Sequence, residues 1–394
     1  MFMRRGSHLF QTEENFTSTF IELQFQALSD NSAYLYPDEE QVPTGWKEGH
    51  LIKIPKKSDF SNCGNDKSIT LLSISGKVFN RVLLNRMKDS VDAQLRDQQA
   101  GFRKDRSCTD QIAILRIIVE QSIEWNSSPY INFIDYDKAF DSVDRTTLWR
   151  LPRHYGVLEA MVNIIRNSYD GFNCKIVHGG QLTKSFEVKI GIRQGCLLSP
   201  FLSLLVINRI MKMSKSGGKY GIQWTSRMQL DDLDFADDPA LLSHTQQQMQ
   251  EKTNSVAAVS EAVGVNIHKG KSKILRYNTA CTNPITLDGE DLEDVKTFTY
   301  LSSIIDEHGG SDVDVKRRIG KARAAYLQLK IIWKSKQLST NTKVRIFNTN
   351  IETVQLYGSG TTKAIIQKIQ VLINKCLHKI LWIRLSDTIS NNLL

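Results

Sequence analysis

No two of the six cysteines in this chain are spaced C-x-x-C; they stand at positions 63, 108, 174, 196, 281 and 376. The eight histidines do not cluster beside them. A zinc site is therefore not expected, and buried thiols in a reducing compartment are the simplest reading for all six. The opening stretch MFMRRGSHLFQTEENF carries charge but no apolar h-region, so no secretory signal is expected. The longest apolar run, CLLSPFLSLLVI at 196–207, is too short for a membrane span and is broken by serine and proline. It reads as a buried helix. These absences point to an intracellular protein, nuclear or cytoplasmic, with no membrane partner. Internal repeats and low-complexity blocks are also missing.

What is present fits a folded chain. With 394 residues there is room for two or three domains with proper cores. The apolar fraction of 41% and charged fraction of 24% are ordinary for a globular protein. The formal net charge of +9 favours a polyanionic partner.

Residues 1–44 are polar and weakly periodic, and read as an irregular lead-in. HLIKIPKK alternates like a strand, and SITLLSISGKVFNRVLLNRM runs from a strand into a helix with Val78, Val82, Leu83 and Met87 on one face. Ile112, Leu115, Val119 and Ile123 recur at helical spacing. YINFIDYDKAFDSVD reads as a strand from Tyr130 to Ile134 running into a turn and helix. A further helix is expected over 157–169, then a hairpin turning at Gly179-Gly180, then an apolar helix over 200–213. MQLDDLDFADDPALLS reads as two short strands around an acidic turn, followed by a helix over 245–263, a basic loop NIHKGKSKIL, and a strand pair around FTYLSSII. From Asp312, Val315, Ile319, Ala322, Tyr326, Leu329 and Trp333 form one helical stripe, with Lys316, Arg317, Arg318, Lys321, Arg323 and Lys330 on the other faces. Strands and helices mixed without strict alternation predict an α+β fold with a largely antiparallel sheet.

The acidic residues carry the chemistry. Asp135 closes an apolar strand, and Asp237 and Asp238 sit together inside LDFADDPALL. Asp231 and Asp232 have fewer apolar neighbours and are expected to be solvated. Like charges brought close must be neutralised by a cation or take up a proton. Two divalent magnesium or manganese ions, roughly 3.5–4 Å apart, would hold such carboxylates charged and serve phosphoryl transfer. An aspartate pair in a turn is also ordinary turn chemistry. The residues alone leave both readings standing.

FIDYDKAFDSVD, GIRQGCLLSP and LDFADD, in this order, resemble the palm motifs of a reverse transcriptase. LLSISGKVFNRVLLNRM followed by QAGFRKDRSCTDQI resembles the polymerases of non-LTR, LINE-type retrotransposons. GVNIHKGKSKIL and FTYLSSII resemble that family's next two motifs. The similarity begins near Trp46 and runs to the C-terminus.

The resemblance implies an RNA-directed DNA polymerase with a right-hand fold: fingers at 45–125, palm at 126–305, and a thumb at 306–394. Asp135, Asp237 and Asp238 match the metal-binding catalytic aspartates, with two magnesium ions, or manganese, as cofactors. Phe140 matches the bulky residue beneath the nucleotide's sugar; core packing is its bland alternative. Gln194 and Gly195 match the loop shaping the nucleotide pocket, although Gly195 also suits any turn. Lys271 matches a lysine near the triphosphate, against a solvated loop residue. Lys67 and Arg103, with Lys53 and Lys56, fall where the fingers meet template and triphosphate. The implied partners are an RNA template, a DNA primer and dNTPs. A decayed copy that only binds nucleic acid, and a group II intron-type maturase, are the competing readings. The chain departs from the pattern at Asp66-Lys67-Ser68 (usually Tyr-Arg-Gly), at Ser302 (usually Gly) and at Pro239 (usually apolar).

Overall fold

The computed structural model describes residues 42–55, 66–178, 180–214, 221–223, 229–307, 312–335, 337–352 and 363–381. The lead-in up to residue 41, Lys56 and Cys63 lie outside them. In chain order the main elements are strands β1 (Glu48–Pro55) and β2 (Asp66–Leu72), helices α1 (Ile74–Asp92) and α2 (Cys108–Glu124), and strand β3 (Tyr130–Phe133). Helices α3 (Arg145–His154) and α4 (Glu159–Tyr169), strand β4 (Asn173–His178) and helix α5 (Leu198–Met213) follow. Then come β5 (Asp232–Phe235), β6 (Asp238–Ser243), α6 (Gln246–Ala262), β7 (Lys273–Arg276), β8 (Thr297–Tyr300) and β9 (Ser303–Asp306). Helices α7 (Asp312–Gln328), α8 (Lys330–Lys334), α9 (Thr340–Phe347) and α10 (Lys363–Leu381) complete the described chain.

These elements form two units interleaved along the chain. The first comprises Met1–Asp97, Tyr136–Ser214 and Val256–Ile267. Its sheet runs β2-β1-β4, with β1 antiparallel to β2 and parallel to β4. Strand β4 turns back as expected, pairing Val177 with Leu182 and His178 with Gln181. Helix α5 is buried on nearly every side, as its apolar sequence requires. Arg193 is sandwiched between the rings of Tyr169 and Phe172, 3.9 Å from each centroid. Burial lowers the pKa of its guanidinium and raises that of the Tyr169 phenol.

The second unit comprises Gln98–Asp135, Lys215–Ser255 and His268–Leu394. Its sheet has the order β5-β6-β3-β7, antiparallel throughout these four strands. Ile131, Phe133, Leu233, Ala240, Leu242 and Leu275 alternate onto one face and pack with Ile112, Leu115 and Val119 of α2 and with Tyr300 and Ile305. Each such fully buried Ile, Leu, Val or Phe side chain contributes about 1.5–3 kcal/mol. The opposite face carries Asn132, whose amide donates to Thr253 Oγ1 of α6 at 2.9 Å.

Several expectations need correction. The basic segment after Gly270 is not all loop: Lys273–Arg276 forms strand β7 beside β3. Two central residues, Ile274 and Leu275, are both fully buried there, so no polar alternation marked them. The stripe after Asp312 is two helices, not one. The Trp333 indole donates to the Tyr326 carbonyl at 2.8 Å. In an unbroken helix that carbonyl would take the Lys330 N–H. Arg318, expected on the solvated basic face, is buried and bonds Asp314 at 2.9 Å. Ile123 lies near the end of α2 and is 38% exposed. Four of the five described cysteines are buried, but Cys281 is only half-buried.

Candidate active site

The second unit brings the acidic segments together. Strands β3 and β6 are antiparallel neighbours, pairing Phe133 with Ala240 and Asn132 with Leu241. Ile134 N–H donates to the Pro239 carbonyl at 3.0 Å, extending the ladder by one rung. Asp135 directly follows Ile134, and Asp238 directly precedes Pro239, so both aspartates adjoin this last bonded rung. Pro239 cannot return the second bond of its rung, because it has no N–H to offer Ile134. Asp237 occupies the two-residue turn between β5 and β6 together with Ala236.

Asp135 is held by the loop that follows α6. His268 N–H donates to the Asp135 carbonyl at 2.7 Å, and Asp135 N–H donates to Ser272 Oγ at 3.1 Å. Ser272 is fully buried. The Lys271 ammonium stands 3.4 Å from Asp135 Oδ1, with both side chains about half exposed. This contact ties Lys271 to the carboxylate itself, a pairing the motif comparison did not anticipate. Beneath the hairpin, Tyr300 reaches the carbonyls of Leu233 and Asp238, each at 3.4 Å. Burial drives its phenol pKa well up, and the nearby charges of Asp238, Asp234 and Asp232 push the same way.

Asp231 and Asp232 are not solvated as expected. Asp232 is 3% exposed and Asp234 is fully buried. Asp231 accepts from Lys252, whose ammonium also bonds the carbonyls of Asp231 and Leu242. The reason lies in a segment whose contribution the sequence does not reveal. Asp234 N–H donates to the Gln98 carbonyl at 3.1 Å, and Ala100 N–H donates to the Asp234 carbonyl at 2.9 Å. Residues 98–100 thus cover the outer edge of β5 and shut out water. Gln99, from the same segment, bonds both backbone groups of Ala236 through its side-chain amide. Ala236 has φ +57°, a conformation that costs a residue with a Cβ about 1–2 kcal/mol. At Gly101 a Cβ would lie 2.2 Å from the Ala236 nitrogen, so only glycine fits. The sequence signal here is the stretch QAGFR, in which the motif resemblance singles out Arg103 alone. Arg103 donates to the Gln99 carbonyl at 3.1 Å.

The other expected site residues belong to the first unit. Phe140 is 6% exposed, and its carbonyl accepts from Ile192 N–H. Gln194 is half-buried; its carbonyl accepts from Thr70 N–H at 2.6 Å, and its side chain donates to Asp141 at 3.1 Å. Gly195 has φ +98°, and a Cβ there would lie 2.7 Å from the Thr70 carbonyl oxygen. This corner therefore docks on β2, the strand that carries Lys67 across from Ile54.

Among the described residues, no three His, Cys, Asp or Glu side chains gather tightly enough to chelate a metal unaided. No described helix is long and apolar enough to cross a membrane.

Known proteins resemble this chain in sequence and in fold. The chain is 26% identical over 232 residues to the Pol polyprotein of a type-2 retrotransposable element of Drosophila melanogaster, covering 58% of this chain and 21% of that protein. It is also 26% identical over 250 residues to the Pol polyprotein of a type-1 retrotransposable element of Popillia japonica, covering 62% and 34%. The chain thus spans about a fifth to a third of these relatives. The structure of apo telomerase from Candida tropicalis shares the fold, at a TM-score of 0.51 and 13% identity, over 85% of this chain and 59% of that one. The fold is α+β, of the right-hand polymerase class. Residues 325–357 match a domain of unknown function. Residues 54–305, more than half of the sequence, match the pattern described as "Reverse transcriptase (RNA-dependent DNA polymerase)", and the chain belongs to that family.

Proposed function

We propose that this chain is the polymerase module of a non-LTR retrotransposon protein, copying an RNA template into DNA from a primer terminus. The observation that carries the reading is the shared ladder end of β3 and β6. Asp135 and Asp238 adjoin its last bonded rung, with Asp237 in the neighbouring turn. In this reading residues 45–125 act as fingers, 126–305 as palm and 306–394 as thumb.

Reverse transcriptases use divalent metal ions. The donor set fits such ions: hard carboxylate oxygens, partly exposed, on separate backbone segments. Magnesium held by one or two carboxylates and by substrate phosphates needs no closed protein cage. Asp135 and Asp237 would hold two magnesium ions, with Asp238 in support; manganese fits the same oxygens. When bound, the ions polarise the α-phosphate and stabilise the attacking and leaving oxygens.

The residues of the chain then orient the reactants. The primer 3′-oxygen forms a bond to the α-phosphorus of the dNTP. The bond to pyrophosphate breaks, and the hydroxyl proton leaves to solvent. Lys271 has an ammonium that can leave Asp135 for the triphosphate. Phe140 supports the sugar and rejects a 2′-hydroxyl, Gln194 and Gly195 shape the nucleotide pocket, and Lys67 and Arg103 contact template and triphosphate. The exposed Lys316, Arg317 and Arg323 of α7 suit a phosphate backbone read without regard to sequence.

Primer extension on an RNA template with dNTPs tests the reading. The wild-type chain should extend the primer, and Asp135→Asn or Asp237→Asn should reduce extension to background while the melting temperature stays near wild type. Phe140→Val should raise rNTP use relative to dNTP. A folded wild-type chain that binds primer–template but never extends it would assign the competing role of a nucleic-acid-binding relic.

A further inference from the structure

One buried amide governs the turn that carries Asp237. Gln99 is fully buried. Its Oε1 accepts from Ala236 N–H at 2.9 Å and from Gly101 N–H at 2.8 Å. Its Nε2 donates to the Ala236 carbonyl at 3.3 Å. One side chain therefore holds both polar groups of the residue just before Asp237. That residue has φ +57° without being glycine. A two-residue turn at a hairpin tip normally finds such support in water or in a glycine. Here the tip is gripped from a segment outside the hairpin.

The chemistry of the grip is specific to glutamine. The site needs an acceptor for two N–H groups and a donor for one carbonyl, at the reach of one side chain. A carboxylate cannot donate to the carbonyl, and an apolar side chain serves none of the three groups. A charged group here would also disturb the carboxylates of Asp234, Asp237 and Asp238. The neutral amide fixes the turn without doing so. The segment carrying Gln99 is itself fixed: Gln111 donates to the Gln98 carbonyl at 3.1 Å, and the Gln98 and Ala100 backbones pair with Asp234.

We propose that Gln99 is a positioning residue for polymerisation: its amide locks the Ala236–Asp237 turn in the conformation that presents Asp237 at the ladder end beside Asp135. This rests on the reverse transcriptase reading above. Displacing a reacting group by about 1 Å can cost on the order of a hundredfold in rate.

The test uses the full chain and three variants: Gln99→Met, Ala236→Gly, and the two combined. Single-nucleotide extension gives kcat and the KM for dNTP. Fluorescence anisotropy of a labelled DNA primer on an RNA template gives affinity. Hydrogen exchange over residues 233–240 reports the turn directly. Gln99→Met should lower kcat by roughly 30- to 100-fold with KM and primer–template affinity within about twofold of wild type. Its exchange should rise at the turn and not in β3. The double variant should regain about tenfold in kcat, because glycine adopts the turn without a clamp. Unchanged kcat in Gln99→Met would overturn the lock, as would a loss that glycine at 236 does not restore. Should Gln99→Met fail to fold, wild-type exchange still decides: an unprotected Ala236 amide overturns the lock, and a protected one supports it. Should the wild-type chain not extend primers, the polymerase reading falls while exchange still judges the clamp.

Discussion

Two hairpins of the second unit solve the same problem with opposite chemistry. Strands β5 and β6 are joined through Ala236-Asp237, and strands β8 and β9 through Leu301-Ser302. Neither turn contains glycine, yet Ala236, Leu301 and Ser302 all have positive φ, at 57°, 45° and 71°. The second turn has both central residues left-handed, as a type I′ hairpin requires. Each is held from outside. The first is gripped by the neutral Gln99. The second is gripped by ions: Asp314 accepts from Ser303 Oγ, Ile304 N–H, Arg116 and Arg318, and Arg318 also donates to the Ser302 carbonyl. A buried charge cluster suits a turn that only joins β8 to β9 and packs under α7. Beside the carboxylates of Asp234, Asp237 and Asp238, an uncharged clamp adds no further charge to the local field.

The sharpest way to break this comparison is Asp314→Ala. It strands Arg116 and Arg318 in a buried setting and should cost about 3–5 kcal/mol. Urea unfolding should show the midpoint fall in proportion, and a loss below about 1 kcal/mol would place this cluster with surface ion pairs. Smaller effects are expected at the turns. Ser302→Gly relieves a left-handed side chain and should gain about 1 kcal/mol. Ala236→Gly should gain a similar amount while Gln99 is present, read from the same urea curves. Unequal gains would mean that the two clamps absorb strain differently. The smallest change is Pro239→Val. It restores the missing N–H opposite Ile134 and should add about 0.5–1.5 kcal/mol. Slower hydrogen exchange confined to the end of the β3–β6 ladder would confirm the restored bond.

Local pattern made much of this molecule readable. The strand at Tyr130, the hairpin around Ala236-Asp237 and the apolar helix before Met213 each declare themselves within a dozen residues, since hydrophobic period and turn chemistry are short-range. The α+β class followed from their order. What stayed hidden depends on partners distant in the chain. Nothing near Asp232 or Asp234 says that residues 98–100 will seal their strand edge. Nothing near Gln99 names Ala236. Strand β7 was missed because lysine flanks a core pair with no alternation, and the split between α7 and α8 because an indole claims a helical carbonyl. The three catalytic candidates were legible as motifs. Their common ladder end was not, because sheet order is a property of the assembled fold.

The close approach at Gly101 has a consequence for sorting related sequences into competent and silent ones. A sequence can retain every aspartate and carry alanine at this position. Counted by its acids it would pass as a polymerase. Yet the added methyl meets backbone, the Ala236 nitrogen at 2.2 Å and its Cα at 2.7 Å, and no rotamer change can move it aside. The turn must shift, and Asp237 must shift with it. On the proposed reading, a glycine with no functional group of its own is thus as informative a marker of competence as the acids it stands behind.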